Sequence, residues 1–510
     1  MGIEAFSAAI RARKFPLDFP GHYIGGEWIN DPKAEALQGS LNPSRGTSIG
    51  RILVSRKIVD SGIESADQAQ RNLGRYTLEE RIHALERLRQ QIADYESVII
   101  DALCIEAGKA RWEAEADFRA SIQQLDAIFA ERHNLRQLLL GPVMLAWPGT
   151  EFELQSNGIT MAFLPFSTPL ATFVQCLSGA LIAGSPLVLM PSSHAVISGA
   201  IFAFIIEKMD LPKGAVNIVF GNYQNFTKAL ADKRVQAVIY SGSREHCDAL
   251  RRDPSNTITR QLLLQSGGKN AVIVAPGSDV KEAVRQTIYG VIKNAGQLNT
   301  STSRAYVHDS MLEAFKQEMI RGIRALTVAP TDQKDNPHLG PLYAQKAVDK
   351  FLRYQTMAKR EASDTWVWGK GLSTGTGGYF VTPGVHFFED MDQTSSYQTN
   401  VLMCPDLSVY RYKDVEQAIA ATNDTEASLV TSLFGNVDQV RPWVAQLKTP
   451  NVLINLPTVG LDVFLPVAGR KLCGDYRLNG VGIACLLTYP QATKVAHADL
   501  REFQGWPAID

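Results

Sequence analysis

The sequence has no apolar run able to cross a bilayer: one of its longest, GAIFAFII at 199–206, covers eight residues where about twenty are needed. Cysteine is scarce. Six residues (Cys104, Cys176, Cys247, Cys404, Cys473, Cys485) lie scattered over 510 positions with no CxxC pair, which excludes a disulfide framework and a thiolate metal cluster of ordinary spacing. An excess of either charge is also missing. With 51 basic and 52 acidic side chains and a net charge of −1, nothing steers the chain toward nucleic acid or an anionic membrane. The opening stretch MGIEAFSAAIRARKF lacks the uninterrupted apolar core of a secretory signal, and Phe6 stands where a myristoylation motif has Ser or Thr. It reads as a short amphipathic helix, and a cytoplasmic location is expected. Internal repeats and low-complexity linkers are absent as well.

What is present is a chain 45% hydrophobic and 20% charged, in the range of globular proteins and long enough for two or three domains. Residues 21–60 read as short strands and turns, with GGEW (25–28) and NPSRG (42–46) as turn chemistry. Thr77 and Glu80 form a capping-box signature, followed by Ile82, Leu85, Leu88 and Ile92 at helical spacing. A second helical stretch is expected over 97–131. From 159, apolar runs alternate with helical segments: ITMAF (159–163), LVLM (187–190), AVNIVF (215–220), QAVIY (236–240) and AVIVA (271–275). That alternation predicts a parallel, doubly wound sheet with its ligand at the carboxyl ends of the strands. A second alternating region runs from about 304 to 455, and the last twenty residues read as a peripheral extension.

Nine strings then occur in one order: YIGGEW (23–28), EAGK (106–109), LPKGAVNIVFG (211–221), YSGS (240–243), GGKN (267–270), NAGQ (294–297), GPL (340–342), NDT (423–425) and INLP (454–457). In that order they resemble the aldehyde dehydrogenase superfamily, and HYIGGEW with PTVG (457–460) resembles its succinylglutamate semialdehyde branch. The resemblance implies an α/β fold of two doubly wound domains with a small oligomerisation element. A dinucleotide-binding-like domain is expected over 1–138 and 156–264, a catalytic-like domain over 265–470, and the oligomerisation element with a C-terminal extension over 139–155 and 471–510. It also implies a chemistry: a cysteine thiolate attacks the aldehyde, hydride passes to NAD(P), and a glutamate activates the water that hydrolyses the thioester.

The residues that this chemistry requires are changed in place. The nucleophile position of the NAGQ string is Asn299, and the base position of the QSGG string is Gln265; the two are 34 residues apart, the family's spacing. Neither amide attacks a carbonyl or accepts a proton from water at neutral pH. The oxyanion-binding asparagine of the family corresponds to Ser167 in PFSTP (165–169). Losing an oxyanion donor costs about 10²–10³ in rate, a general base about 10²–10⁴, and a nucleophile on the order of 10⁶. Among the cofactor positions, the ribose-binding lysine becomes Met190, the glutamate after it Ser193, and a second ribose contact Val401; Gly242 and Ser243 of the YSGS turn are retained. NAD(P) binding is therefore expected to be absent or weak.

Two classes of function follow. The first is a pseudoenzyme, a binding, regulatory or assembly subunit, expected as a homodimer or tetramer with scope for a protein partner. The second is an enzyme: an NAD(P)-dependent semialdehyde dehydrogenase with a relocated nucleophile, or non-covalent chemistry in the same cavity. Thr300 and Ser301 adjoin the vacated position but no histidine lies in their string, whereas Cys404 and Cys473 lie in strings that in the family approach the cofactor or substrate. His194 and His246 read as surface residues at helix N-termini. No metal site, nucleic-acid partner or membrane partner is expected.

Overall fold

The computed structural model describes residues 2–31, 33–36, 40–135, 150–257, 259–333, 336–461, 467–474 and 482–494. Helix Ile3–Arg11 buries Ile3, Phe6 and Ile10, as its amphipathic spacing predicts. Thr77 forms the expected capping box with Glu80 at the start of helix Leu78–Asp94. The helical stretch over 97–131 is two helices and not one: α1 (Glu96–Glu106) and α2 (Arg111–Ala130). Gly108 breaks it with φ +66°, and a Cβ there would come within 2.9 Å of Pro341 Cγ, so a left-handed turn and a close contact both require glycine.

The first sheet holds β1 (His22–Ile24), β2 (Glu27–Ile29), β3 (Ile159–Leu164), β4 (Leu187–Pro191), β5 (Val216–Ile218), β6 (Val235–Gly242) and β7 (Gln261–Ser266). Its order is β7-β6-β3-β4-β5-β1-β2, with the first five parallel and the β1–β2 hairpin antiparallel at one edge. Every residue of β4 and β5 is buried, which is why these strands read as continuous apolar runs. Helix α3 (Val196–Glu207) covers β4 and β5 with all but its last residue buried. Two short helices, α4 (Tyr223–Ala229) and α5 (Arg244–Arg251), follow β5 and β6. The chain runs outward through β3, β4 and β5, then returns to the other side of β3 with β6. That reversal opens the crevice of a doubly wound sheet beyond the ends of β3 and β6.

The second sheet holds β8 (Asn270–Val274), β9 (Thr302–His308), β10 (Asp364–Val367), β11 (Gly384–Phe388), β12 (Asp406–Tyr412), β13 (Val430–Phe434) and β14 (Asn451–Ile454). Its order is β10-β11-β12-β9-β8-β13-β14, parallel except for β10. The run at 271–275, which the alternation alone groups with the first sheet, is an interior strand of this second one, between β9 and β13. Gly267 and Gly268 make the crossing between sheets: a Cβ on Gly268 would stand 2.4 Å from Asn270 Oδ1 and 2.6 Å from Leu429 Cβ. Helix α6 (Gln345–Glu361) packs on β11.

Strand Thr150–Ser156 pairs antiparallel with Thr488–Lys494 over seven residues, forming a separate two-stranded arm. Of the expected oligomerisation element and C-terminal extension, 139–149, 475–481 and 495–510 lie outside the described residues. Among the described residues no helix is long and apolar enough to cross a membrane.

Candidate functional site

The loop between the helix Val280–Ile292 and β9 is built before any functional group is placed on it. Asn294 and Ala295 both have φ +51° and Gly296 has φ +70°, three successive left-handed residues that non-glycine side chains resist. Tertiary contacts hold the turn. Asn294 N–H donates to Glu113 Oε1 on α2 at 2.5 Å, and the Gln297 side chain donates to Asn294 O at 3.0 Å while accepting from Tyr343 N–H at 2.9 Å. The Asn270 amide donates to Asn299 O and Ser301 O, both at 2.9 Å, and Gly268 N–H donates to Asn299 O at 3.0 Å. The GGKN string thus fixes the segment that carries Asn299.

On this scaffold Asn299 and Gln265 meet: Asn299 Nδ2 donates to Gln265 Oε1 at 3.1 Å. Gln265 sits near the end of β7, is 6% exposed, and its Nε2 has no hydrogen-bond partner among the described residues. Val401 joins the same cluster. A Cβ on Gly267 would stand 3.0 Å from Val401 Cγ1, 3.1 Å from Met403 Sδ and 3.8 Å from Asn299 Cα. Lys269 anchors the segment leading to Val401 by donating to Tyr397 O at 3.3 Å and Asn400 O at 3.0 Å. Burial, reinforced by the Arg304 guanidinium, pushes its ammonium down to about 8. The centre itself is a pair of neutral amides.

Ser167, half-buried, and Ser193 make no hydrogen bond to this cluster among the described residues; each lies in the loop that follows β3 or β4. Phe166 beside Ser167 packs on Tyr343 (4.9 Å) and approaches His194 (6.1 Å), and His194 meets Tyr343 edge-on at 5.0 Å. His194 is therefore part of an aromatic group at the junction of the two sheets, not an isolated surface residue.

The positions for a dinucleotide do not fit one. Met190 is fully buried, and its Sδ and Cε lie 3.0 Å from where a Cβ on Gly221 would be; a thioether in that place has no N–H to give a ribose. Val401 has no polar atom in its side chain either. Gly242 is covered by Tyr240, whose hydroxyl lies 2.6 Å from a Cβ built there. Ser243 Oγ caps α5 by accepting from His246 N–H at 3.3 Å. His246, which the sequence suggests as a surface residue, stacks on Tyr223 with ring centroids 3.6 Å apart and planes 8° from parallel.

The two candidate replacement thiols are poorly suited to attack. Cys404 and Cys473 are both buried. Burial pushes Cys473 up to about 12 and Cys404 well above its ordinary value, and the Cys473 thiol donates to Gly267 O at 3.3 Å. A thiol so far from ionising is a weak nucleophile. Sequence patterns alone do not single out Glu113, Gln297, Lys269 or Asn270 as the residues that position the loop. Their signal is present only as membership of the GGKN and NAGQ strings or of the helix that follows EAGK. Tyr223 carries no motif at all.

Two doubly wound sheets, with the loop before β9 bringing Asn299 to Gln265 near the end of β7, define a dehydrogenase-type scaffold. The sequence profile of the aldehyde dehydrogenase family matches residues 28–491, and this chain belongs to that family. It is similar to a putative aldehyde dehydrogenase of Staphylococcus aureus (strain USA300), 25% identical over 469 residues, covering 90% of this chain and 94% of the relative. Among solved structures, a mutant form of the 1-pyrroline-5-carboxylate dehydrogenase of Thermus thermophilus superposes with a TM-score of 0.86 at 24% identity, over 96% of this chain and 95% of the other. The aldehyde dehydrogenase of Bartonella henselae gives 0.87 at 22% identity, over 94% and 99%.

Proposed function

We propose that this family member does not oxidise aldehydes by the thioester route and acts as a binding, regulatory or assembly pseudoenzyme on an intact aldehyde dehydrogenase scaffold. The observation that carries the reading is the 3.1 Å hydrogen bond from Asn299 to Gln265. The positions for nucleophile and base are occupied by two neutral amides that engage each other, so neither attack on a carbonyl nor deprotonation of water has an agent there. Burial of Cys404 and Cys473 with their thiols held protonated argues against a relocated nucleophile. The loss of polar ribose contacts at Met190 and Val401 supports weak or no NAD(P) binding. Its ancestry is assigned to the semialdehyde dehydrogenases on HYIGGEW and PTVG, its domains to the boundaries given above, and its place to the cytoplasm.

The test is NAD(P)H absorbance with the full chain against a panel of aliphatic aldehydes and semialdehydes. No production above the enzyme-free rate is expected. Robust NAD(P)H formation overturns the reading, and loss of that activity in Cys404→Ser or Cys473→Ser would identify a relocated nucleophile.

A further inference from the structure

The crevice beyond β3 and β6 is where a doubly wound sheet takes a ligand, and a phosphate in such a crevice rests on the N-terminus of a helix. Here the available helix is α5. Glu245 lies in its first turn, where the partial positive charge of the helix N-terminus favours a carboxylate, and the backbone there and the Ser243 hydroxyl hold its carboxyl below the usual range. The first turn of this helix therefore already carries an anion of its own. A flat base entering between the N-terminal turns of α4 and α5 would meet the Tyr223–His246 stack, with rings 3.6 Å apart. That stack is tied at both ends: Tyr223 donates its hydroxyl proton to His246 O at 3.0 Å, and the Tyr240 hydroxyl meets His246 Nδ1 at 2.9 Å. Phe163 stacks on Tyr240 across the β3–β6 pair, and Phe226 on α4 closes against both. Opposite them, Lys346 and Lys350 on α6 lie within electrostatic range of His246 and Glu245.

We infer that the chain fills its own nucleotide crevice, with the Tyr223–His246 stack in place of a base and the Glu245 carboxylate in place of a phosphate, so that adenine nucleotides are excluded by occupancy. This rests on the reading of the chain as a family member that has given up the dinucleotide, and adds a cause that lost ribose contacts alone do not supply. The occupants are removable. Glu245 is exposed and Tyr223 partly so, and without them the two lysines and the freed helix N-terminus favour a phosphate.

ADP is the probe, titrated calorimetrically into the full chain. The unaltered protein should show no binding tighter than about 1 mM, and Tyr223→Ala with Glu245→Ala should bind ADP at least about tenfold more tightly. Met190→Lys alone should give no such gain. Micromolar ADP binding by the unaltered chain overturns the inference, as does an equal gain from Met190→Lys, or no gain in a double variant with an unchanged circular dichroism spectrum. A second measurement needs no variant: the His246 imidazole resonances of selectively labelled protein should not move when ADP is added, and their displacement overturns occupancy. Aldehyde oxidation is read separately, so ADP binding without oxidation would sink this inference and leave the proposed function standing.

Discussion

At the scale of single residues, the proposed loss of aldehyde oxidation is a matter of chemical type and not of place. Asn299 and Gln265 stand where spacing puts them, and Asn270, Gln297 and Gly268 hold the loop as they would hold it around a thiol. Asn299→Cys should therefore put a thiol into a ready-made frame, and the fair assay is one that needs no cofactor. With 4-nitrophenyl acetate the single variant should release about one equivalent of nitrophenolate in a burst and then stall, since Gln265 cannot activate the deacylating water. Adding Gln265→Glu should raise the steady rate by roughly 10²–10⁴. Steady turnover by Asn299→Cys alone would show that another group supplies the base. Both positions were legible from the QSGG and NAGQ strings because local backbone requirements preserve glycines around them. The Tyr223–His246 stack was not, because it pairs residues from two different helices, and no local pattern encodes which rings meet across a gap.

The break at Gly108 escaped the periodic pattern because the apolar spacing continues on both sides of it; only the contact with Pro341 and the positive φ reveal the turn. Likewise, β8 reads as one more buried parallel strand, and periodicity cannot say which sheet a strand joins. Beside the break lies Glu106, buried at the end of α1 and capping α3 by accepting from Ile197 N–H at 2.6 Å, from Ser198 N–H at 2.8 Å and from the Ser198 hydroxyl. Burial pushes it up to about 7, and pushes Glu113 up to about 7 as well. The folded state thus keeps protons that the unfolded chain releases near the ordinary carboxyl value. Stability from these groups is full below about pH 4.5 and is lost as pH rises through about 7, by on the order of 2–3 kcal/mol for each fully buried group. Melting temperature should accordingly fall between about pH 5 and pH 8, and Glu106→Gln should flatten that slope. An unchanged slope in the variant would remove Glu106 from the account.

For the whole molecule, the two-stranded arm is the telling element. A two-stranded ribbon is marginal in water without further cover, yet among the described residues Thr150–Ser156 and Thr488–Lys494 pair only with each other, and Tyr489 is 50% exposed. Cover from a second copy of the chain meets this need, so light scattering should report a dimer or tetramer at micromolar concentration. A clean monomer would sink that expectation. The two-sheet plan was readable from β-α alternation and from motif order over most of the chain, since buried parallel strands advertise themselves as apolar runs. The arm was readable only through family resemblance, because an alternating ribbon at a surface has no distinctive composition.

The amide pair also bears on poisoning by electrophiles. A thiolate held ready for aldehydes is equally ready for alkylating agents, reactive carbonyls and oxidants, and an enzyme built on one is silenced by them. Asn299 and Gln265 offer such electrophiles nothing to react with, and the neighbouring Cys473 is buried with its thiol pushed up to about 12. In a milieu that would disable a thiolate-bearing relative, this scaffold is expected to keep its shape and its surfaces around Asn299 and Gln265.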